Sequence, residues 1–225
     1  MSDSKKNPKV QMILLSLAGF VLFWTIVTDA WGYSSHLAIH NGSYVYAYLS
    51  RLVWIVPAIW LIFRYSAFMR YDKKTLFSRP VWNKSLAAVL AISVIYAVGM
   101  MLVTHGGFWL NPSVNLPLEI LKFVLVAIVE EVVFRGWGFN ALAKSVTEKK
   151  AILYSTTFFV LLHWPAYFIR LFRFGTMDYA EWLIQSLTAA LWGVVCCMLL
   201  KKGKTLWNPI ISHFVYDVLY VLLVG

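Results

Sequence analysis

An all-α bundle of about seven membrane-spanning helices is the fold class the sequence predicts, on three observations. The chain is 60% hydrophobic and 13% charged, with a mean hydropathy of +0.70, far from the balance of a soluble domain. Hydropathy divides it into seven stretches, each able to cross a hydrocarbon layer of roughly 30 Å as a helix of about 20 residues. Basic residues gather in every second connection between those stretches.

The stretches fall near 11–31, 45–63, 85–104, 117–141, 151–169, 179–200 and 206–224. The first follows a short basic region, as a secretory signal would, but its apolar run is too long and lacks a clear small-residue cleavage site. It reads as an uncleaved span. The fourth is the least uniform, because it carries Lys122, Glu130, Glu131 and Arg135.

Lys5, Lys6 and Lys9 precede the first span, and Arg64, Arg70, Lys73, Lys74, Arg79 and Lys84 fall in the 64–84 connection. Lys144, Lys149 and Lys150 follow the fourth span, and Lys201, Lys202 and Lys204 the sixth. These are fifteen of the 20 Lys and Arg, and the opposite connections hold only Arg170 and Arg173. A multi-pass cell-membrane protein with its N-terminus in the cytoplasm and its C-terminus outside is expected. The net charge of +10 is spread over short juxtamembrane clusters, which suits contact with the anionic bilayer and argues against nucleic-acid binding.

Cys196 and Cys197 are neighbours within one span and diverge by about 100° on a helix, so a disulfide framework is excluded. No linker, low-complexity tract or repeat divides the chain, and residues 1–225 read as one integral membrane domain.

A charge at membrane depth costs about 2.5–3.5 kcal/mol on the insertion scale and is by default a functional hypothesis. The segment VEEVVFRG supplies Glu130, Glu131 and Arg135. Glu131 and Arg135 stand four residues apart, on one helix face, and are expected to form a supporting ion pair. Glu130 is rotated from them, with Phe134 at its own i+4 position, and is the carboxylate left free for chemistry. The fifth span places Phe159 one turn before His163, and the seventh places His213 one turn before Asp217. Counted from the ends of their spans, Glu130, His163 and His213 come to similar levels, so a shared site opening toward the cytoplasmic half is expected. A carboxylate and an imidazole in a low-dielectric pocket can take a proton from water, and a second histidine with a protonated acid can donate to a developing oxyanion. The same donors could instead hold zinc and its bound water; metal-free and metal-bound versions both stand.

Three motifs, EExxxR at Glu130-Glu131 to Arg135, FxxxH at Phe159 to His163 and HxxxN/D at His213 to Asp217, follow in order on candidate helices. In these residues the chain resembles the CAAX protease and bacteriocin-processing enzyme family, also called the Abi family, over about 117–224. The resemblance implies an α-helical intramembrane endopeptidase related to the type II prenyl-protein peptidases. By analogy Glu130 and His163 activate the water, His213 and the residue at 217 form the oxyanion site, and Glu131, Arg135 and Phe159 support them. Eukaryotic prenyl-processing members carry Asn where this chain has Asp217. An ionised Asp cannot donate to an oxyanion, so it is protonated, binds metal or orients His213.

Taken singly, each residue has a plainer reading. Glu130 and Glu131 could tie the bundle through Arg135, His163 could be packed against a backbone carbonyl near a helix end or kink at Trp164-Pro165, and Phe159 could be core. His213 follows Asn208-Pro209, where proline suits the first turn of a helix. His36, His40 and His105 are read as solvated in outer loops, and Trp31, Tyr33, Trp109 and Trp207 as an interfacial belt. Three functions follow: an endopeptidase acting on a membrane-bound peptide or protein, including bacteriocin processing or self-immunity; a non-catalytic membrane immunity or scaffold protein; and a proton-coupled transporter, for which no broken inverted repeat speaks.

Overall fold

The computed structural model describes residues 10–27 and 42–225, apart from the side chains of 42–47. Lys5, Lys6, Lys9, Trp31, Tyr33, His36 and His40 lie outside them. Among the described residues every regular element is helical: α1 Val10–Val27, α2 Gly42–Tyr65, α3 Lys73–Leu76, α4 Lys84–His105, α5 Leu116–Glu131, α6 Asn140–Ser145, α7 Glu148–Phe174, α8 Tyr179–Gly203 and α9 Trp207–Leu223. Between α5 and α6, Val132–Phe139 continues the rod as a π-helix.

Local chemistry sets these boundaries. Asn83, Asn115 and Asp178 cap α4, α5 and α8 by accepting the backbone N–H groups of Leu86, Leu118 and Glu181, which are otherwise unpaired in a first turn. Pro117 and Pro209 fall in first turns, where a missing N–H costs nothing. In the short α3, Asp72 accepts Thr75 N–H at 2.7 Å, and this holds its exposed carboxyl below the usual carboxylate range.

Among the described residues, five helices are long and apolar enough to cross a membrane: α1, α2, α4, α7 and α8. The chain is a multi-pass membrane protein on that ground. The other two expected spans differ for physical reasons: α9 has 17 residues, and α5 carries Glu119, Lys122, Glu130 and Glu131 in 16. The expected break at Trp164-Pro165 is absent, because α7 runs through Pro165 to Phe174. Trp164 Nε1 donates to Ser186 Oγ at 3.0 Å and its ring meets Trp182, so α8 holds the helix across the point where Pro165 removes a ladder donor.

One end of the bundle is clamped by the 66–83 connection. Asn140 brackets Tyr71, accepting its N–H at 2.8 Å and donating to its carbonyl at 2.8 Å. Asn208 does the same for Val81, at 2.9 and 2.8 Å. Both asparagines are fully buried, and each satisfies a peptide unit that would otherwise be orphaned. Gly203 makes room for Asn208, since a Cβ there would stand 2.6 Å from Nδ2. Glu148 at the start of α7 pairs with Arg70 at 2.7 Å and Lys201 at 2.5 Å. The starts of α7 and α9 and the end of α8 thus share this clamped end. At the far end, Asn111 donates to two successive carbonyls of α9, its backbone N–H to Leu222 O at 2.9 Å and its side-chain amide to Val221 O at 3.3 Å. His105 is the last residue of α4, exposed as expected but stacked on Trp109 and bonded to Val224 O at 3.1 Å.

Replacing Asn208 by Ala removes both bonds to Val81 and leaves that peptide unit unpaired, a loss of about 1–3 kcal/mol. Thermal unfolding in detergent should show a clear drop in midpoint, and an unchanged midpoint would mean the connection does not clamp the bundle.

Candidate active site

The segment Val132–Phe139 is buried throughout, in sequence terms a costly place for an arginine. The wider π turn frees carbonyls from the regular ladder, and Phe134 O is met by Ser155 Oγ of α7 at 2.8 Å. Gly136 allows close approach, since a Cβ there would come within 3.0 Å of Leu206 and 3.1 Å of Ile62. The π segment is thereby seated among α1, α2, α7 and α8.

At its head, Arg135 Nη1 donates to Glu131 Oε1 at 3.1 Å, and both side chains are 0% exposed. The Arg135 guanidinium also lies over the Phe159 ring at 4.1 Å. Phe159 therefore does more than fill the core: its face receives a cation, and its carbonyl accepts His163 Nδ1–H at 2.8 Å. A carbonyl can only accept, so Nδ1 carries the proton and Nε2 keeps a free lone pair in the neutral ring.

His213 of α9 bonds Glu131 Oε1 through Nδ1 at 2.9 Å. Its Nε2 faces Glu130 Oε2 at 3.9 Å and Asp217 Oδ2 at 3.5 Å. Glu131, and not Asp217, is the group that grips His213 by Nδ1. Glu130 Oε2 is buried with no hydrogen-bond partner among the described residues. Buried polar atoms are nearly always paired, so this oxygen stands out.

The residues form two layers. Glu131, Arg135, Phe159 and His213 make the lower one, with the Phe159 and His213 rings 6.0 Å apart. His163 and Asp217, each one turn further along helices that start at the clamped end, make the upper one and line a cavity of about 170 Å3 together with His213. Tyr96, Phe123, Trp192, Tyr216 and Tyr220 supply aromatic walls. The cavity therefore rises away from the clamped end, into the halves of α8 and α9 nearer Tyr179 and Leu223. This corrects the expectation of a site opening toward the end with the basic connections: there the buried π segment and the asparagine clamps close the bundle. Glu130 does not line the cavity but sits behind His213, at 7% exposure.

Two further residues had no signal in the sequence beyond their position. Cys196 of α8 makes a side-chain contact with Glu131, and Cys197 one with Arg135; both are free thiols. Among the described residues no group of three or more His, Cys, Asp or Glu is arranged to hold a metal ion. On that arrangement the donor set does not fit the zinc alternative as it stands.

Residues 112–219 match the model of the Rce1-like family, described as type II CAAX prenyl endopeptidase Rce1-like. Over that segment, nearly half of the chain, it is similar to the CAAX protease family. Comparison with curated proteins and with solved structures finds no match. The match supports a CAAX-protease-type intramembrane endopeptidase at family level. The matched segment holds all three motifs and every cavity-lining residue except Tyr96 and the two at 220 and 221.

Arg135→Leu should strip the CAAX-family segment of the cation that balances Glu131, leaving a buried charge uncompensated at a cost of about 3–5 kcal/mol. Unfolding in detergent would register it as a large loss of folded protein. A stability within about 1 kcal/mol of wild type would show that the pair does not hold the site.

Proposed function

We propose that the protein hydrolyses a peptide bond of a membrane-associated peptide or protein with a water activated by Glu130 and His163. The observation that carries this reading is the buried, unpartnered Glu130 Oε2 beside a cavity lined by His163, His213 and Asp217. Glu130 takes a proton from water as the oxygen attacks the substrate carbonyl, with His163 Nε2 accepting the second hydrogen bond. His213, its Nδ1–H held by Glu131, acts as an imidazolium and presents Nε2–H to the oxyanion as it forms. Asp217, protonated, is the second donor. Collapse breaks the C–N bond, and the proton held by Glu130 passes to the leaving amine, so the carboxylate is restored.

With the basic connections in the cytoplasm, the N-terminus is cytoplasmic and the C-terminus outside. The cavity then rises into the outer half of the bilayer. That direction favours a membrane-spanning substrate or the leader of an exported peptide, the setting of bacteriocin processing or self-immunity, and residues 1–225 act as one membrane domain.

Detergent-purified protein should cleave candidate membrane peptides, and Glu130→Gln should lower kcat by at least about 100-fold with little change in KM. Equal product release by wild type and variant would leave a non-catalytic immunity or scaffold role, and loss on chelation that zinc restores would replace this mechanism with a metal-bound one. Orientation is checked separately: a cysteine placed at Asp72 should react with an impermeant maleimide only after the cells are opened, and labelling of intact cells reverses the topology.

A further inference from the structure

The wall of the cavity facing the histidines comes from α8, and its chemistry is unusual for a helix at membrane depth. Gln185, Thr188, Ala189 and Trp192 fall on one face at three- and four-residue spacing and all line the cavity. Some other polar side chains nearby are engaged: Ser186 Oγ donates to Trp182 O at 2.7 Å and accepts from Trp164, and Ser155 is bonded to Phe134 O, while Trp192 Nε1 on the same face of α8 is buried with no hydrogen-bond partner among the described residues. Within the described residues no hydrogen bond engages the Gln185 amide or the Thr188 hydroxyl.

The cavity's size narrows what such groups can meet. At about 170 Å3 it is smaller than the roughly 300–1,000 Å3 of pockets that enclose drug-sized ligands. A helical substrate, about 10–12 Å across with its side chains, does not fit. A peptide enters only as an unwound stretch, and unwinding exposes main-chain N–H and C=O groups that have no water to turn to at this depth. A glutamine amide offers both an acceptor and donors, the complement of a peptide unit.

We propose that Gln185, assisted by Thr188, binds the main chain of the substrate and holds it extended across the cavity, opposite His163 and His213. This rests on the endopeptidase reading and gives the site its substrate form: an unwound main chain with small flanking side chains. Gln185 is a positioning residue of the cavity, not part of the water-activating set.

The test uses the full chain in detergent and a panel of N-acylated, internally quenched short peptides with Ala, Leu or Phe flanking the central bond. Binding is read by fluorescence anisotropy on Glu130→Gln protein, and cleavage on protein with Glu130 intact. Gln185→Leu should weaken binding and raise KM about tenfold, the loss of one net hydrogen bond, with kcat within about threefold of wild type. Replacing a flanking amide by an ester should cost a similar factor with Gln185 present and nothing more in Gln185→Leu, while Gln185→Glu, which keeps an acceptor, should recover part of the loss. Unchanged binding in Gln185→Leu, ester and Leu losses that simply multiply, or no saturable binding by any peptide would each overturn the proposal. Binding with the expected coupling but no cleavage sinks the water-activation reading and leaves the main-chain site standing.

Discussion

A guanidinium and two neighbouring carboxylates at membrane depth must be answered by partners, because the surrounding medium offers none. Glu131 Oε1 is where those answers meet: it accepts from Arg135 Nη1 at 3.1 Å and from His213 Nδ1 at 2.9 Å. Arg135 Nε and Nη2 have no hydrogen-bond partner among the described residues, and the Phe159 ring at 4.1 Å takes their place as the counter-surface. Since the Phe159 carbonyl also fixes the His163 ring, one turn of α7 couples the ion pair to the upper layer. The EExxxR, FxxxH and HxxxD residues are a single electrostatic unit, and none can be moved without disturbing the others.

The adjacent glutamates gain a physical meaning from this arrangement. Neighbours on a helix diverge by about 100°, which separates a supporting Glu131 from a free Glu130. The divergence goes further, because the two carboxylates address the two nitrogens of one imidazole, Glu131 at Nδ1 and Glu130 at Nε2. A single helix segment thus orients the His213 ring from one nitrogen and leaves the other facing the reaction space, where Asp217 also looks in at 3.5 Å.

Much of this was legible because membrane helices advertise themselves: apolar runs located the five helices able to cross a membrane, and four-residue spacing paired Glu131 with Arg135, Phe159 with His163 and His213 with Asp217. What stayed hidden has local causes. The π turn at Val132–Phe139 departs from the 3.6-residue period and leaves no periodic trace in the sequence. Asn140 and Asn208 read as incidental polar residues, because a side chain that brackets a distant peptide unit has no sequence signature. Depth counting placed the ionisable residues together but could not say which way the space beside them opens, since that depends on where the helices are tied.

That tying is asymmetric, and the asymmetry bears on access. The clamped end combines two bidentate asparagines, the Arg70–Glu148–Lys201 group and Thr205 Oγ1 donating to Ser78 O at 2.7 Å. At the far end α8 begins with Tyr179, Leu183 and Ile184 exposed and is joined to α7 by the Arg170–Glu181 pair at 3.5 Å, by the Tyr167 hydroxyl donating to Glu181 at 3.2 Å and by the Trp182 ring against Trp164 and Phe168. Regions with few buried contacts open at lower free energy than the global core. The buried asparagine bonds mark the clamped end, while the partly exposed contacts of the far end adjoin the cavity that His163 and Asp217 line. The same chain therefore ties its charged layer to the clamped end through buried hydrogen bonds and leaves the cavity on the side where the ties are more exposed.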